Sequence, residues 1–337
     1  MKKLFFALIA VTMIAVPVSA VLGIPFFAGA VGVGIASFMT PSYESTAMAG
    51  LNKEIWLPDL MEGFYADDMF LSECRDMTAF VDNDTINLAE AGVNPDVLIN
   101  NTSYPIATAQ RADTALALPL DTYDTENTLI RAIETAELSY DKRSSVLFGH
   151  RMALRMRFME YAAFRIAPAT NGTYTPIITA TGANNGSGNK RLTFADVLNL
   201  QRQFDEAEMP SEGRILVLSA QHRMDLQNED RDLYNQLLKD KSLYGFKLYS
   251  LASKRLPRYN KTTGAKVAWQ ATDAPSTDVR ASIAFHKDEV MRAQGTVDMF
   301  AREKDPDERG DKFGFQMRGL SMPIRNKGIA AIYSPAA

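Results

Sequence analysis

One long stretch of helical periodicity constrains this chain more than any other feature of its sequence. Apolar residues recur at helical spacing from Thr128 to Ala167, and Gly149 is the only glycine or proline before Pro168. At ~1.5 Å per residue, a helix of that length spans about 50 to 60 Å, which exceeds the diameter of a small domain. The pattern therefore predicts a spine helix that serves more than one lobe and stops at Pro168.

The segment before this helix has the sequence of strands and turns but few residues for a core of its own. Between Thr85 and Asp124, the predicted strands are Ile86–Glu90, Ile106–Ala109 and Ala115–Leu120, with turn residues between them. An isolated two-stranded segment is only marginally stable in water. We therefore expect this segment to lie on something else, most simply on another subunit.

The rest of the chain mixes helices and strands, which predicts the α+β class. Thr193 is placed to cap a helix that begins at Phe194 and that Pro210 ends, the buried strand Arg214–Leu218 follows, and Gln221–Leu238 has the composition of a polar helix. Further predicted strands are Tyr174–Thr179, Lys247–Tyr249, Val267–Trp269, Ala281–Phe285, Thr296–Phe300, Asp311–Arg318 and Gly328–Tyr333, with a charged turn at Asp305–Gly310.

Composition excludes some classes of protein. The chain has 337 residues, 46% hydrophobic and 23% charged, which is the balance of an ordinary folded protein with one large domain or two to three lobes. Its net charge of −4 lacks the basic excess of a dedicated nucleic-acid binder. With one cysteine, no intrachain disulfide can form, so the fold must depend on burial and subunit contacts.

Few residues have the pattern of a chemical site. Cys74 is interpreted as a buried small apolar residue, the alternative being a nucleophile activated by a nearby base. His150, His222 and His286 form no ligand-spaced pair, and the usual zinc motifs are missing from the sequence. The sequence therefore predicts no catalytic residue, no metal site and no cofactor, and hence a protein that is not an enzyme.

Three other patterns resemble functional motifs but are interpreted as structural. Gly182–Lys190 contains glycine and lysine without the spacing of a phosphate loop, so it is predicted to be a surface loop. Gly32-Val33-Gly34 is a poor dinucleotide fingerprint, since no strand–turn–helix unit surrounds it. Arg151, Arg155 and Arg157 could contact nucleic acid, but a solvated or ion-paired helix face is the favoured interpretation.

The first forty residues are apolar and leave three interpretations open. Lys2 and Lys3 precede an apolar run that ends in small residues near Ala20, as in a secretory signal peptide. The uncharged character continues from Val21 to Met39, beyond the expected cleavage site. Such a segment is a retained arm that packs between subunits, a cleaved signal peptide or a membrane-associated segment. We favour the retained arm.

The order of these elements resembles the HK97-type capsid fold of tailed bacteriophages, over about residues 60 to 335. Three stretches carry the resemblance: the helix Leu192–Ala207 with Met209-Pro210 and the strand Arg214–Ser219, the stretch Ala281–Val290, and the ending from Gly310–Phe315 through Gly328–Tyr333. Many family members begin with a charged helical scaffolding segment that is removed, and this chain does not. Scaffold function, maturation cleavage and the cross-link of the family's namesake are therefore not carried over.

The resemblance implies a division of the chain into an N-terminal arm, an extended E-loop, a long spine helix, and peripheral and axial domains. The implied segments are 1–50 (apolar N-terminal segment), 51–81 (N-terminal arm), 82–127 (E-loop), 128–210 (spine helix and first part of the peripheral domain), 211–292 (axial domain) and 293–337 (last strands of the peripheral domain).

The resemblance also implies a function, that of the major capsid protein. Such a protein is a structural subunit of an icosahedral capsid, self-assembling into hexamers and pentamers that enclose the genome, in virions assembled in the bacterial host cytoplasm. Its implied partners are its own copies, other capsid, portal or decoration proteins, packaged double-stranded DNA through non-specific contact, and a scaffolding protein. The alternatives are the shell protein of an encapsulin-type nanocompartment and a secreted or periplasmic binding protein, which cleavage after Ala20 would favour.

Overall fold

The structure is a computed structural model that describes residues 69–90, 99–102, 105–106, 114–131 and 142–337. The segment 1–50, with its three interpretations and Gly32-Val33-Gly34, lies outside the described residues, as does most of the predicted arm at 51–81. Of the predicted strand Ile106–Ala109, only Ile106 is described, and it does not lie in a strand.

The described residues form sixteen β-strands and four α-helices, in agreement with the predicted mixture of the two. The strands are β1 (Arg75–Asp76), β2 (Val81–Asp82), β3 (Thr85–Glu90), β4 (Thr114–Pro119), β5 (Asp121–Asp124), β6 (Thr128–Arg131), β7 (Ile177–Thr179), β8 (Arg214–Ser219), β9 (Ser242–Leu243), β10 (Phe246–Leu251), β11 (Arg258–Asn260), β12 (Asp278–Arg280), β13 (Ser282–His286), β14 (Val290–Asp305), β15 (Gly310–Pro323) and β16 (Ile329–Tyr333). The helices are α1 (Lys142–Ile166), α2 (Phe194–Glu206), α3 (Ala220–Glu229) and α4 (Arg231–Asp240). Of these described helices, none has the length and apolar character needed to cross a membrane.

A six-stranded sheet in the order β7-β16-β13-β8-β10-β9 has β8 near its centre. All six residues of β8 are buried, as expected for a strand with both faces covered. Because side chains alternate along a strand, Ile215 and Val217 join the core that contains α1, whereas Leu216 and Leu218 join the core that contains α2. This sheet takes strands from three of the sequence segments that the resemblance implied, since β7, β8 and β16 all belong to it.

A second sheet is built on a long antiparallel ribbon of β14 and β15, which contain 16 and 14 residues. β1 pairs with β14, and β5 and β6 pair with β15. The predicted turn Asp305–Gly310 is confirmed, because Asp305 pairs with Gly310 where the ribbon reverses.

Helix α1 is shorter than predicted. Thr128–Arg131 is strand β6, so the predicted helical start at Thr128 is wrong. Ile130 is buried at 3% exposure and pairs with Asp311 of β15, and this tertiary contact overrides the local helical pattern. The 25 residues of α1 span about 37 Å at ~1.5 Å per residue. The helix ends at Ile166, which agrees with the stop predicted at Pro168.

The base of the predicted two-stranded segment is held by its own chain. β3 and β4 pair antiparallel, with Glu90 opposite Thr114 at the far end of the described ladder. Ile86 is fully buried in a core with Met291 and Leu320 of the ribbon. The expectation that this segment lies on another subunit therefore applies only to the residues beyond this base.

Helix α2 confirms two local predictions, the cap at Thr193 and an end before Pro210. Thr193 and Asp196 form a reciprocal capping box at its start, as the predicted cap at Thr193 requires. The helix ends at Glu206, before Pro210.

Two further boundaries differ from the prediction. The predicted helix Gln221–Leu238 is two helices, α3 and α4, because the Asp230 side chain accepts hydrogen bonds from the amides of Asp232 and Leu233 and starts a new helix. Within Tyr174–Thr179, only β7 forms a strand.

The predicted strand Val267–Trp269 is wrong. These residues lie in the loop between β11 and β12, where the Trp269 ring packs on helix α1 instead of pairing in a sheet. A contact with a distant helix decides this conformation, and strand propensity does not foresee it.

Helix α1 gives the first testable prediction. Leu154 is 3% exposed in the middle of the helix, so Leu154→Pro removes a backbone hydrogen bond and clashes with the preceding turn. We expect it to lower the free energy of unfolding by about 3 kcal/mol or more in urea titrations. Leu154→Met, which conserves volume, should cost less than about 1.5 kcal/mol, and Cys74→Ser about 1 kcal/mol. Equal losses from the three variants would contradict this ranking.

Candidate functional site

Cys74 is buried, as predicted. Its side chain is 4% exposed, and its Sγ atom lies 3.8 Å from the carbonyl oxygen of Phe70. Burial raises the pKa of the Cys74 thiol to about 12, because a buried thiolate would lose its hydration, and Arg292 offsets only part of this effect. The thiol therefore stays protonated at neutral pH and is a poor nucleophile.

The three histidines are buried, and each makes different contacts. His150 on α1 packs against the Phe315 ring with centroids 5.0 Å apart. His222 on α3 contacts two serines, and the Nε2 atom of His286 lies 2.8 Å from the carbonyl oxygen of Glu212. Within the described part of the chain, no group of three or more His, Cys, Asp or Glu side chains could hold a metal ion.

Gly182–Lys190 is a loop, as predicted, and its own side chains occupy its amides. Asn184 Oδ1 accepts a hydrogen bond from the amide of Gly186 at 2.8 Å, and Asn185 Oδ1 accepts one from the amide of Ser187 at 2.8 Å. Amides of this kind would have to point at a phosphate in a phosphate loop. Since they are engaged within the loop, its conformation is not that of an anion cradle.

The arginines of α1 are engaged within the chain. Arg157 Nη1 lies 3.0 Å from Glu160 Oε2 one turn further along the helix, and Arg155 Nε lies 2.8 Å from Met69 Sδ. The ion-paired interpretation is confirmed for Arg157. Contact between these arginines and nucleic acid stays a prediction.

The loop 261–277 between β11 and β12 covers the end of helix α1. The Trp269 ring packs on the rings of Tyr161 and Phe164, with centroids 4.8 and 5.2 Å away. Lys266 Nζ donates to the carbonyl oxygen of Ala167 at 2.6 Å, just beyond the last helical residue. Burial lowers the pKa of Lys266 to about 8, and Arg165 adds to this shift. Sequence reasoning missed this contact, because no local pattern connects a loop to a distant helix end.

Arg258 anchors this loop. Its guanidinium donates to the carbonyl oxygens of Ala271 and Thr272 and lies 3.2 Å from Asp278 and 3.3 Å from Asp273. The Arg258 and Asp278 side chains are 9% and 10% exposed, so this ion pair is largely withdrawn from solvent. The anchor therefore fixes the position from which Trp269 reaches the helix.

A groove of about 830 Å³ lies beside the Trp269 contact. Its lining includes Tyr123, His150, Tyr161, Trp269, Asp121, Asp124 and Glu126. Two of its carboxylates are already engaged, Asp121 with Arg165 at 2.8 Å and Asp124 with Gln316 at 2.6 Å. The groove is therefore lined by aromatic rings and by carboxylates, two of which are engaged within the chain.

Within the part of the chain that the structure describes, three phenylalanine side chains are more than half exposed. Phe80, Phe148 and Phe300 are 61%, 58% and 58% exposed, and they lie beside β2, on α1 and on β14. Large aromatic side chains are enriched where protein surfaces meet, because they bury much area at a low cost in conformational entropy. These residues, together with the groove, are the strongest candidates for contact with other chains.

No protein-family profile matches the sequence, and no curated protein matches it either. Solved structures do match. The capsid of Ralstonia phage GP4 is similar with a TM-score of 0.60 at 8% identity, covering 82% of this chain and 91% of that chain. The capsid of cyanophage P-SCSP1u is similar with a TM-score of 0.55 at 16% identity, covering 79% of this chain and 88% of that chain. The mature capsid of bacteriophage PhiM1 is similar with a TM-score of 0.55 at 11% identity, covering 80% of this chain and 88% of that chain.

These likenesses define the class of fold: the chain has the fold of bacteriophage capsid subunits. The HK97-type resemblance read from the sequence is thereby confirmed at the level of the overall fold. At identities of 8% to 16%, what is shared is the fold.

The Arg258 anchor gives a second prediction. Arg258→Met leaves the buried Asp278 carboxylate without its partner, and we expect the free energy of unfolding to fall by about 3–5 kcal/mol. Asp278→Asn in the same chain should recover part of this loss, because it removes the unpaired charge. In a Trp56→Phe background, Trp269 emission should shift to longer wavelength as the loop leaves the helix.

The control is Arg202→Met, which breaks the exposed pair between Arg202 and Glu206. Exposed helical pairs contribute about 0.3–0.5 kcal/mol, so this variant should be nearly neutral. Similar losses from Arg202→Met and Arg258→Met would contradict the role of Arg258 as an anchor.

Proposed function

We propose that this protein is the structural subunit of an icosahedral phage capsid, assembling into hexamers and pentamers that enclose double-stranded DNA. The observation that carries the proposal is the likeness to the GP4 capsid, which extends over 82% of this chain and 91% of that chain. A likeness of that extent leaves little of the fold for a separate activity. The proposed location is the virion, after assembly in the host cytoplasm.

The proposal assigns a role to each part of the fold. Helix α1 is the spine helix, and the ribbon of β14 and β15 belongs with it to the peripheral domain. β8, β9, β10 and β13 of the six-stranded sheet belong to the axial domain, and β7 and β16 join them from the segments assigned to the peripheral domain. β3, β4 and residues 91–113 between them form the E-loop. Ile99 and Ile106 of that stretch are 84% and 53% exposed, which fits a segment that gains its burial from a neighbouring copy.

The proposed partners are first of all other copies of this chain, through surfaces that carry Phe80, Phe148 and Phe300. Portal, decoration and scaffolding proteins are further partners of such a shell. DNA would be held by non-specific contact, and the net charge of −4 makes that contact weak.

Assembly of the purified protein tests the proposal directly. We expect closed particles in negative-stain images, and a mass by light scattering of many subunits. A stable monomer under all assembly conditions would contradict the proposal. Empty or protein-filled particles from infected cells would favour a nanocompartment, and cleavage after Ala20 with a monomeric product would favour a secreted binding protein.

The E-loop assignment gives a third prediction. Glu90 and Thr114 are opposite each other in the ladder, so residues 91–113 can be replaced by an Asn-Gly turn that joins the two strands directly. Ile86 keeps its buried place, so we expect a soluble protein with unchanged thermal stability that forms no closed particles. Normal particles from this variant would show that residues 91–113 are not the E-loop.

Phe300 gives a fourth prediction. Phe300→Asp places a charge on an exposed position of β14, and if that position meets a neighbouring copy, particle yield should fall at least tenfold, because burying an unpaired carboxylate in an interface is costly. Thr296→Asp is the matched control, because Thr296 is also exposed on β14. Both variants should keep the monomer's unfolding midpoint. Equal particle yields from the two variants would remove Phe300 from the proposed interface.

A further inference from the structure

Four polar side chains form a buried cluster where helix α3 meets the six-stranded sheet. Ser219 ends β8 and caps α3, His222 lies in the first turn of α3, Ser282 begins β13, and Ser334 follows β16. All four are at most 1% exposed. The imidazole ring therefore joins the helix to the ends of two strands, β13 and β16, and Ser219 joins the same helix to the end of β8 through the backbone amide of His222.

The hydrogen bonds of this cluster suit a neutral ring. Ser282 Oγ accepts a hydrogen bond from the amide of Ser219 at 2.9 Å, which leaves its own hydrogen free to be donated to His222 Nδ1 at 2.7 Å. In the tautomer with this arrangement, His222 Nε2 carries the ring hydrogen and faces Ser334 Oγ at 3.0 Å as its acceptor. A second proton on Nδ1 would turn an acceptor into a donor and leave the Ser282 hydroxyl hydrogen without this acceptor.

The segment that Ser334 begins is held to the rest of the fold mainly by backbone hydrogen bonds to the loop Gly182–Lys190. The amide of Lys190 donates to the carbonyl oxygen of Pro335 at 3.0 Å, and the amide of Ala337 donates to that of Gly188 at 3.0 Å. The hydrogen bond between His222 and Ser334 lies where this segment leaves strand β16.

The nearby carboxylates are already occupied. Asp196 on α2 is the charged group that acts on the ring, and it accepts hydrogen bonds from the amides and hydroxyls of Thr181 and Thr193. Asp225, one turn further along α3, accepts from Leu192 and Gln221. Burial consequently outweighs Asp196 and lowers the pKa of His222 to about 4.

We propose that the His222 cluster is an acid-sensitive latch, in which protonation of the ring releases Ser334–Ala337 from the loop Gly182–Lys190. A buried imidazolium can regain hydration only if one side of the cluster opens. The side formed by Ser334 is held by the fewest strand pairings, because β16 ends at Tyr333. The latch does not depend on the proposed shell function.

Hydrogen–deuterium exchange of the full chain, followed by mass spectrometry from pH 7.5 to 4.5, tests the latch. An opened state with an ordinary histidine binds a proton near pH 6.5, whereas the closed state binds one near pH 4. The closed state is therefore stabilised fully above pH 6.5 and loses stability as the pH falls toward 4. After correction for intrinsic exchange rates, the opening constant of peptides over 334–337 and 182–190 should rise about tenfold per pH unit in this window. Peptides from α1 should stay protected.

Variants separate the latch from general acid unfolding. His222→Gln cannot titrate, so its exchange at 334–337 should not depend on pH, and Ser334→Ala should open the segment already at pH 7.5. His286→Gln, at another buried histidine, should respond to acid like the unchanged protein. Constant protection of 334–337 down to pH 4.5, or an undiminished acid response in His222→Gln, would overturn the proposal. If His222→Gln does not fold, the Ser334→Ala variant tests the latch. Protection of residues 334–337 at pH 7.5 equal to that of the unchanged protein would then overturn the proposal.

Discussion

The packing of helix α1 into a core that includes both main sheets is the contact on which the rest of the structure depends. Phe158 and Ile166 of this helix are fully buried in a cluster with Val217 and Phe285 of the six-stranded sheet and Phe315 of the ribbon. Burying one large apolar side chain contributes roughly 1.5–3 kcal/mol, so a few such residues are enough to keep the sheets together. A glycine sets how closely the helix approaches the ribbon: a Cβ atom at Gly319 would lie 3.0 Å from Phe158 Cε2. The exposed Phe148 and Phe300 are thus carried by elements whose mutual position the core determines.

The parts of the fold that the sequence predicts well are those decided locally. The apolar run within Arg214–Leu218 predicts a buried strand, and Thr193 predicts a helix start, because a helix cap depends only on neighbouring residues. The errors lie where distant residues decide. Thr128–Arg131 joins β15, and Trp269 packs on Tyr161, so in both places a long-range contact overrides the local pattern.

The candidate site is harder to predict than the fold, for a physical reason. A catalytic or metal site needs particular residue types, which a sequence displays, whereas a packing surface uses the same residue types as a core. Met299 and Phe300 are neighbours on one strand, yet Met299 is 7% exposed and Phe300 is 58% exposed. Only the face that each side chain takes in the sheet separates them, and face assignment requires the register that the structure supplies. The order of helices and strands along the chain predicted the fold even though it could not predict which side chains are exposed.

The hairpin of β3 and β4 is held by its own chain at its base, whatever residues 91–113 contact. The base of the hairpin needs no partner subunit, because Ile86 is buried in a core with residues of the ribbon and Asp84 pairs with Arg318 of β15. Ordering one further residue costs about 1–2 kcal/mol, which is comparable to what burying one exposed isoleucine returns. Isolated contacts at Ile99 or Ile106 would therefore do little more than offset the ordering of their own neighbourhood. A firmly held base reduces that cost, since the strands leave it already paired and aligned. In a closed symmetric assembly the same contact recurs at every copy, so a small net gain per subunit becomes a large one for the whole particle.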